Sequence, residues 1–181
     1  MEFQRIVTGS DASGMAVFLD TLVKPQTSAF AHVPGFVIST LWSTTENAVI
    51  PRKVSDPVPS VTSLVPAPGE TRLVKVTFPP DIVLESITNW EAVGAEYSAK
   101  LPGLAEKFEA DSPGMHTTPT VDYIIVLSGE LWLELDAGEQ RYLKAGDVVV
   151  QNGTRHAWRN RSANPATILS VMIGAAHDES Q

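Results

Sequence analysis

Between Met115 and Gly129 the chain reads MHTTPTVDYIIVLSG, and between Gly146 and Asn160 it reads GDVVVQNGTRHAWRN. Side chains alternate faces along a strand. If both stretches are extended, His116, Thr118, Thr120 and Asp122 share one face of the first, and His156, Trp158 and Asn160 share one face of the second. Around them the β-rich runs YIIVLS, LWLEL, VVVQ and TILSVMI are cut by Gly129, Gly138, Gly146, Gly153 and Asn164-Pro165. Counted to Pro165, these breaks lie 9, 8, 7 and 12 residues apart. That spacing predicts a barrel or sandwich of short antiparallel strands.

Upstream, QRIV with MAVFL across the turn TGSDASG, then GFVISTLW, then TRLVKVTF, read as further strands. The segment from Ile50 to Glu70, with Pro51, Pro57, Pro59, Pro66 and Pro68, reads as an extended loop. One segment departs from the β pattern. From Thr88 to Leu101 the apolar residues Trp90, Val93, Tyr97 and Leu101 recur at steps of 3, 4 and 4, with Thr88 and Glu91 placed as a capping box. Pro102-Gly103 ends this helix, and a short second turn follows through Leu104 and Phe108. Four large apolar residues on one face need a surface to cover, so a plug on the barrel is favoured over a mobile lid.

The two quoted stretches resemble the paired signature motifs of the cupin superfamily. In the first, His116 takes the place of the first His, Thr118 that of the second, Asp122 the acidic place and Gly129 the terminal Gly. In the second, Gly146, Gly153, His156 and Asn160 follow the family order, with Asn152 in the usual Pro place. The resemblance implies an all-β chain, a cupin-type double-stranded β-helix or jelly-roll barrel with a short helical insertion. It implies one domain over residues 1–181, with N-terminal strands and loop over 1–70, the insertion over about 84–110 and the motifs over 114–174. It also implies a homodimer. Small cupins of this kind occur in bacteria and with fungal polyketide genes, where some are described as oxidoreductases.

The residues allow two chemistries. Two imidazoles and one carboxylate, at His116, His156 and Asp122, form the donor set of a non-haem divalent metal site. Fe(II) is the favoured ion, and Zn, Mn, Ni and Co also suit it. Thr118 in place of a His weakens such a site, and Asp122 is one methylene shorter than the usual Glu. The same His and Asp residues could instead transfer protons without a metal, as an isomerase, dehydratase or cyclase requires. A cupin that binds a small ligand without turnover is the third possibility. In each case Thr118, Thr120, Trp158 and Asn160 are candidate pocket residues. Tyr123, Arg155 and Arg159 have the opposite parity, which predicts packing or surface roles. Of Arg72 and Lys75, on opposite faces of one strand, at most one can point inward. Trp132 is left open, and His32 and His177 read as solvated.

Composition narrows the rest. The 181 residues contain no cysteine, so a thiol nucleophile, a disulfide scaffold and thiolate metal sites are excluded. Thirteen basic against 21 acidic residues give a net charge of −8, which argues against a nucleic-acid or anionic-membrane surface. No leader pattern and no span of ~20 apolar residues is present, so the expectation is a cytoplasmic protein acting on a small molecule. G-x-S-x-G, P-loop, G-x-G-x-x-G and H-E-x-x-H patterns are missing from the sequence.

Overall fold

The computed structural model describes residues 4–19, 25–50 and 54–176, so Pro51 and His177 lie outside the described residues. Among the described residues eleven strands follow in chain order: β1 (Thr8–Ser10), β2 (Ala16–Phe18), β3 (Gln26–Ala29), β4 (Val37–Thr44), β5 (Thr71–Phe78), β6 (Thr120–Ser128), β7 (Glu130–Glu134), β8 (Gln140–Lys144), β9 (Val148–Asn152), β10 (Ala157–Arg159) and β11 (Ala166–Gly174). Between β5 and β6 come α1 (Asp81–Glu85) and α2 (Trp90–Lys100). Every strand pairing is antiparallel. A six-stranded sheet has the order β3-β4-β5-β11-β6-β9, and a three-stranded sheet the order β10-β7-β8. The chain is mostly β, a double-stranded β-helix of the jelly-roll kind.

Alternation along the central strands decides what lies inside. In β11, Ala166, Ile168, Ser170 and Met172 are buried, and in β6 Thr120, Asp122, Ile124 and Val126 are buried, while the residues between them are more exposed. The register sets Met172 opposite both Asp122 and Arg72, and Asp122 opposite Gln151. One apolar cluster gathers Ile124, Val126, Leu131, Ala166 and Ile168 between the sheets. A second gathers Phe30, Val33, Ile38, Leu64, Val74, Val93, Leu101 and Met172 beneath the helical insertion.

The N-terminal hairpin is shifted from its sequence reading. Thr8–Ser10 pairs with Ala16–Phe18, so the paired strand begins inside the expected turn rather than in QRIV. Asp11 causes this, because its carboxylate accepts hydrogen bonds from the Ser13 and Met15 amides and tightens the reversal. In the described part of the proline-rich loop the regular structure is one 3-10 turn, Val58–Ser60.

Helix α2 also begins later than predicted. Asn89 caps it, its side-chain oxygen accepting from the Ala92 amide at 3.0 Å, so Thr88 is outside the cap. Val93 and Leu101 are buried and Tyr97 packs against the same cluster, but Trp90 at the first helical position is half exposed. Three of the four stripe residues therefore plug the barrel. Leu101, fully buried, should lose about 3 kcal/mol of stability on truncation to Ala. Trp90→Ala should cost well under 1 kcal/mol. Urea denaturation of both variants checks the pair, and equal losses would contradict the plug.

Candidate active site

The two motif histidines meet through their backbones. The His116 amide donates to the His156 carbonyl and the His156 amide to the His116 carbonyl, each at 3.0 Å, which forms an isolated antiparallel bridge. The two rings therefore lie side by side, centroids 4.3 Å apart and planes inclined by 49°. Phe108, from the end of the insertion, bridges His116 on its other side and places its ring 5.0 Å from the imidazole. Trp158 stands edge-on to His156 at 6.1 Å and continues to Phe78 at 6.2 Å.

Each imidazole is tethered through Nδ1. In His116 this atom lies 3.0 Å from the Gly114 carbonyl, which can only accept, so Nδ1 carries the proton and Nε2 a lone pair. In His156, Nδ1 lies 2.9 Å from the Thr154 carbonyl and 2.8 Å from Nε2 of Gln151. Burial is the largest influence on both rings and favours the uncharged form. It lowers the His116 pKa, against the opposing pull of the Gly114 carbonyl and Glu109. It pushes His156 down to about 4, with the neighbouring His116 adding to the effect. Two neutral imidazoles thus face each other at pH 7.

Asp122 is buried in the barrel, and desolvation pushes its carboxyl up to about 6, with the Thr120 hydroxyl opposing. Its Oδ1 has no hydrogen-bond partner among the described residues, and neither does the hydroxyl of buried Ser170. The candidate pocket residues divide. Thr118 and Thr120 are buried on the predicted face and hydrogen-bond each other at 2.8 Å. Trp158 is half-buried beside His156. Asn160 has a different task. Its amide nitrogen donates to the Phe78 and Asn164 carbonyls and its oxygen accepts from Ser162, so the side chain ties loops together.

The residues of opposite parity lie where alternation puts them. Tyr123 is half exposed, Arg155 pairs with Glu109 and Asp136, and Arg159 pairs with Glu134. Arg72 is the inward member of its pair, held by the Ser63 and Thr71 carbonyls and by Glu70. Trp132 packs on Tyr142, between the buried Leu131 and Leu133. His32 is exposed. A groove of about 330 Å³ is lined by Met115 and Arg155, each one residue before an imidazole, and by Ser112, Glu134 and Arg159. Sequence reading missed Gln151 and Ser170, two inward polar residues inside apolar runs. Parity alone could have flagged Gln151, which shares its face with Val149.

The metal reading can be tested on this geometry. Among the described residues, no three His, Asp or Glu side chains converge closely enough to hold an ion together. His116 and His156 meet, Asp122 joins neither, and the Thr118 hydroxyl is occupied by Thr120. A three-ligand metal does not fit the donor atoms as they stand.

Part of the chain matches a known protein family. Residues 107–172 match the family model described as "Cupin domain". The "Phomopsin biosynthesis cluster protein C'" of Diaporthe leptostromiformis is 62% identical over 48 residues, 26% of this chain and 25% of that protein. The "Cupin-domain-containing oxidoreductase virC" of Hypocrea virens is 46% identical over 62 residues, 33% of this chain and 32% of that protein. These matches thus span a quarter to a third of each relative's length. A solved RmlC-like cupin with a double-stranded β-helix fold from Methanocaldococcus jannaschii is 12% identical, covering 57% of this chain and 70% of its own, with a TM-score of 0.37.

Proposed function

We propose, from the premise that residues 107–172 of this chain are a cupin domain, that the protein is an enzyme of secondary-metabolite biosynthesis. Its substrate is a small, largely apolar carbonyl or phenolic molecule, and the reaction centre is the His116–His156 pair. The observation that carries this reading is the pair itself: two neutral imidazoles with ring centroids 4.3 Å apart, flanked by Phe108 and Trp158. Neutral imidazole is the side chain best suited to exchange protons at pH 7. A carbonyl compound isomerises or loses water when a base removes a proton from the adjacent carbon and an acid supplies one to oxygen. His116, with Nδ1 bonded to the Gly114 carbonyl, presents the basic Nε2. Asp122, with a pKa of about 6, is a further group that gains and loses a proton near neutral pH. The surrounding rings exclude water and favour an uncharged, planar ligand.

A second reading is favoured by the relatives, one of which is named an oxidoreductase. Imidazole and carboxyl groups store no electrons, so redox chemistry here needs a bound metal or another electron carrier. For a metal, Asp122 has to move to the imidazoles. Localisation in the cytoplasm and a homodimeric assembly remain part of the proposal; what the structure adds is that, among the described residues, no helix is long and apolar enough to cross a membrane.

One experiment separates the readings. The full chain, purified without added metal, is analysed for Fe, Zn, Mn, Ni and Co and then incubated with 4-hydroxyacetophenone in D₂O. The acid–base reading expects deuterium to enter the methyl group with a chelator present, and expects this to be lost in His116→Ala. A stoichiometric metal whose removal stops the exchange would replace it with the metal-dependent reading.

A further inference from the structure

We infer that Gln151 is a positioning residue that decides which nitrogen of His156 carries the proton, and so makes the two imidazoles an unlike pair. The inference rests on the acid–base reading of that pair and adds a division of labour to it.

Gln151 is buried in β9, opposite Asp122 in the sheet register. Its Nε2 lies 2.8 Å from the Thr154 carbonyl, 2.7 Å from the Thr154 hydroxyl and 2.8 Å from Nδ1 of His156. The carbonyl contact fixes the orientation of the amide, since turning it over would set two oxygens against each other at that distance. The nitrogen therefore faces the ring, and an amide nitrogen only donates. A protonated Nδ1 would press N–H against NH₂ at 2.8 Å, with no acceptor between them. A bare Nδ1 accepts one of the amide protons.

The Thr154 carbonyl, 2.9 Å from Nδ1, pulls the other way. It has a second lone pair for a ring proton, but Nδ1–H would then stand 2.8 Å from the donating Gln151 amide. On an uncharged ring, a bare Nδ1 puts the single proton on Nε2.

His116 has the opposite arrangement, with the proton on Nδ1 toward the Gly114 carbonyl and the lone pair on Nε2. The pair then consists of a base, His116, and a proton donor, His156. Two neighbouring neutral imidazoles of the same tautomer would offer one role twice. A glutamine at position 151 offers both, because it supplies a donor where metal-binding histidines have an acceptor.

Long-range ¹H–¹⁵N spectra of the full, chelator-treated chain at pH 7.5 read the protonated nitrogen of each ring directly. The wild type is expected to show Nε2–H at His156 and Nδ1–H at His116. In Gln151→Leu the Thr154 carbonyl is the remaining partner, and His156 is expected to change to Nδ1–H. Gln151→Glu covers the case in which the leucine variant does not fold. Its carboxylate accepts from Nδ1–H, so His156 is expected to show Nδ1–H in that variant as well. His116 should be unchanged in both. Nδ1–H at His156 in the wild type, or the same tautomer in the wild type and the folded variants, overturns the inference. Because the spectra are taken without metal or substrate, a chelator-sensitive reaction would remove the acid–base reading while leaving the tautomer measurement intact.

Discussion

Replacing Asp122 by Asn is expected to stabilise the protein at pH 7.5 by about 2 to 3 kcal/mol while slowing proton exchange at the site. Burial raises the Asp122 pKa from 3.8 to about 6, and each unit of such a change corresponds to about 1.4 kcal/mol. A raised carboxyl pKa means that the folded protein prefers the protonated acid. Its contribution is complete below about 4 and is lost as the pH rises to about 6, after which the buried charge is a constant cost. Asparagine keeps the shape without the charge. The gain of Asp122→Asn should therefore be largest above pH 6, shrink through pH 5 and vanish near pH 4. Urea unfolding of both proteins at these values measures it. A pH-independent difference would show that burial does not raise the Asp122 pKa.

His156 acts in the opposite direction. Its pKa falls from 6.5 to about 4, so stability is complete above pH 6.5 and is lost as the pH falls toward 4. Together the two groups leave the wild type without a pH at which both are unstrained. That is how a site differs from a core, since an apolar pair at these positions would have no such conflict.

The second large effect is expected at Gly129, between β6 and β7. Its φ is +76°, and a Cβ there would lie 2.6 Å from the Ala166 Cα and 2.7 Å from the Pro165 carbonyl oxygen. Both obstacles are backbone, and Ala166 begins the strand that pairs with β5 on one side and β6 on the other. Gly129→Ala combines left-handed strain of about 1–2 kcal/mol with a clash of similar size, for a loss of about 3 kcal/mol. Gly138 is the control. It has φ +72° but open space around its Cβ position, so Gly138→Ala should lose about 1 kcal/mol from strain alone. Thermal and urea unfolding distinguish the two, and equal losses would mean that the clash at Gly129 relaxes freely.

The strands with continuous apolar runs were legible because burial on one face leaves a mark in composition. β5 coincides with TRLVKVTF, and β6, β7, β9 and β11 fall on their runs to within a few residues. β3 (QTSA), β8 (QRYLK) and β10 (AWR) were not, for a shared reason. β3, β8 and β10 are edge strands, short or largely polar, whose order comes from the neighbour they pair with rather than from their own pattern. α1, five residues capped by Pro80, is too short to show a helical period. At the site, parity put His116, Thr118, Thr120 and Asp122 on one face; Thr118, Thr120 and Asp122 are buried, while His116 lies ahead of β6 in an isolated bridge to His156. What alternation along single strands could not supply was distance between strands. It brings His116 to His156, leaves Asp122 beside Gln151, and gives Asn160 to the loops.

The helical insertion is fastened at both ends to the strand segment that carries His156. At its start, the Asp81 amide donates to the Asn160 carbonyl at 2.7 Å, and the Asn160 amide donates to the Asp81 carboxylate at 2.9 Å. At its finish, Glu109 receives two hydrogen bonds from Arg155, at 2.7 and 2.6 Å. A loop with both feet on one strand behaves as a bracket, not a hinge. Amide hydrogens in α2 and in β10 should exchange as one cooperative unit, and the insertion could not be exchanged for a relative's without re-seating the imidazole held between its feet.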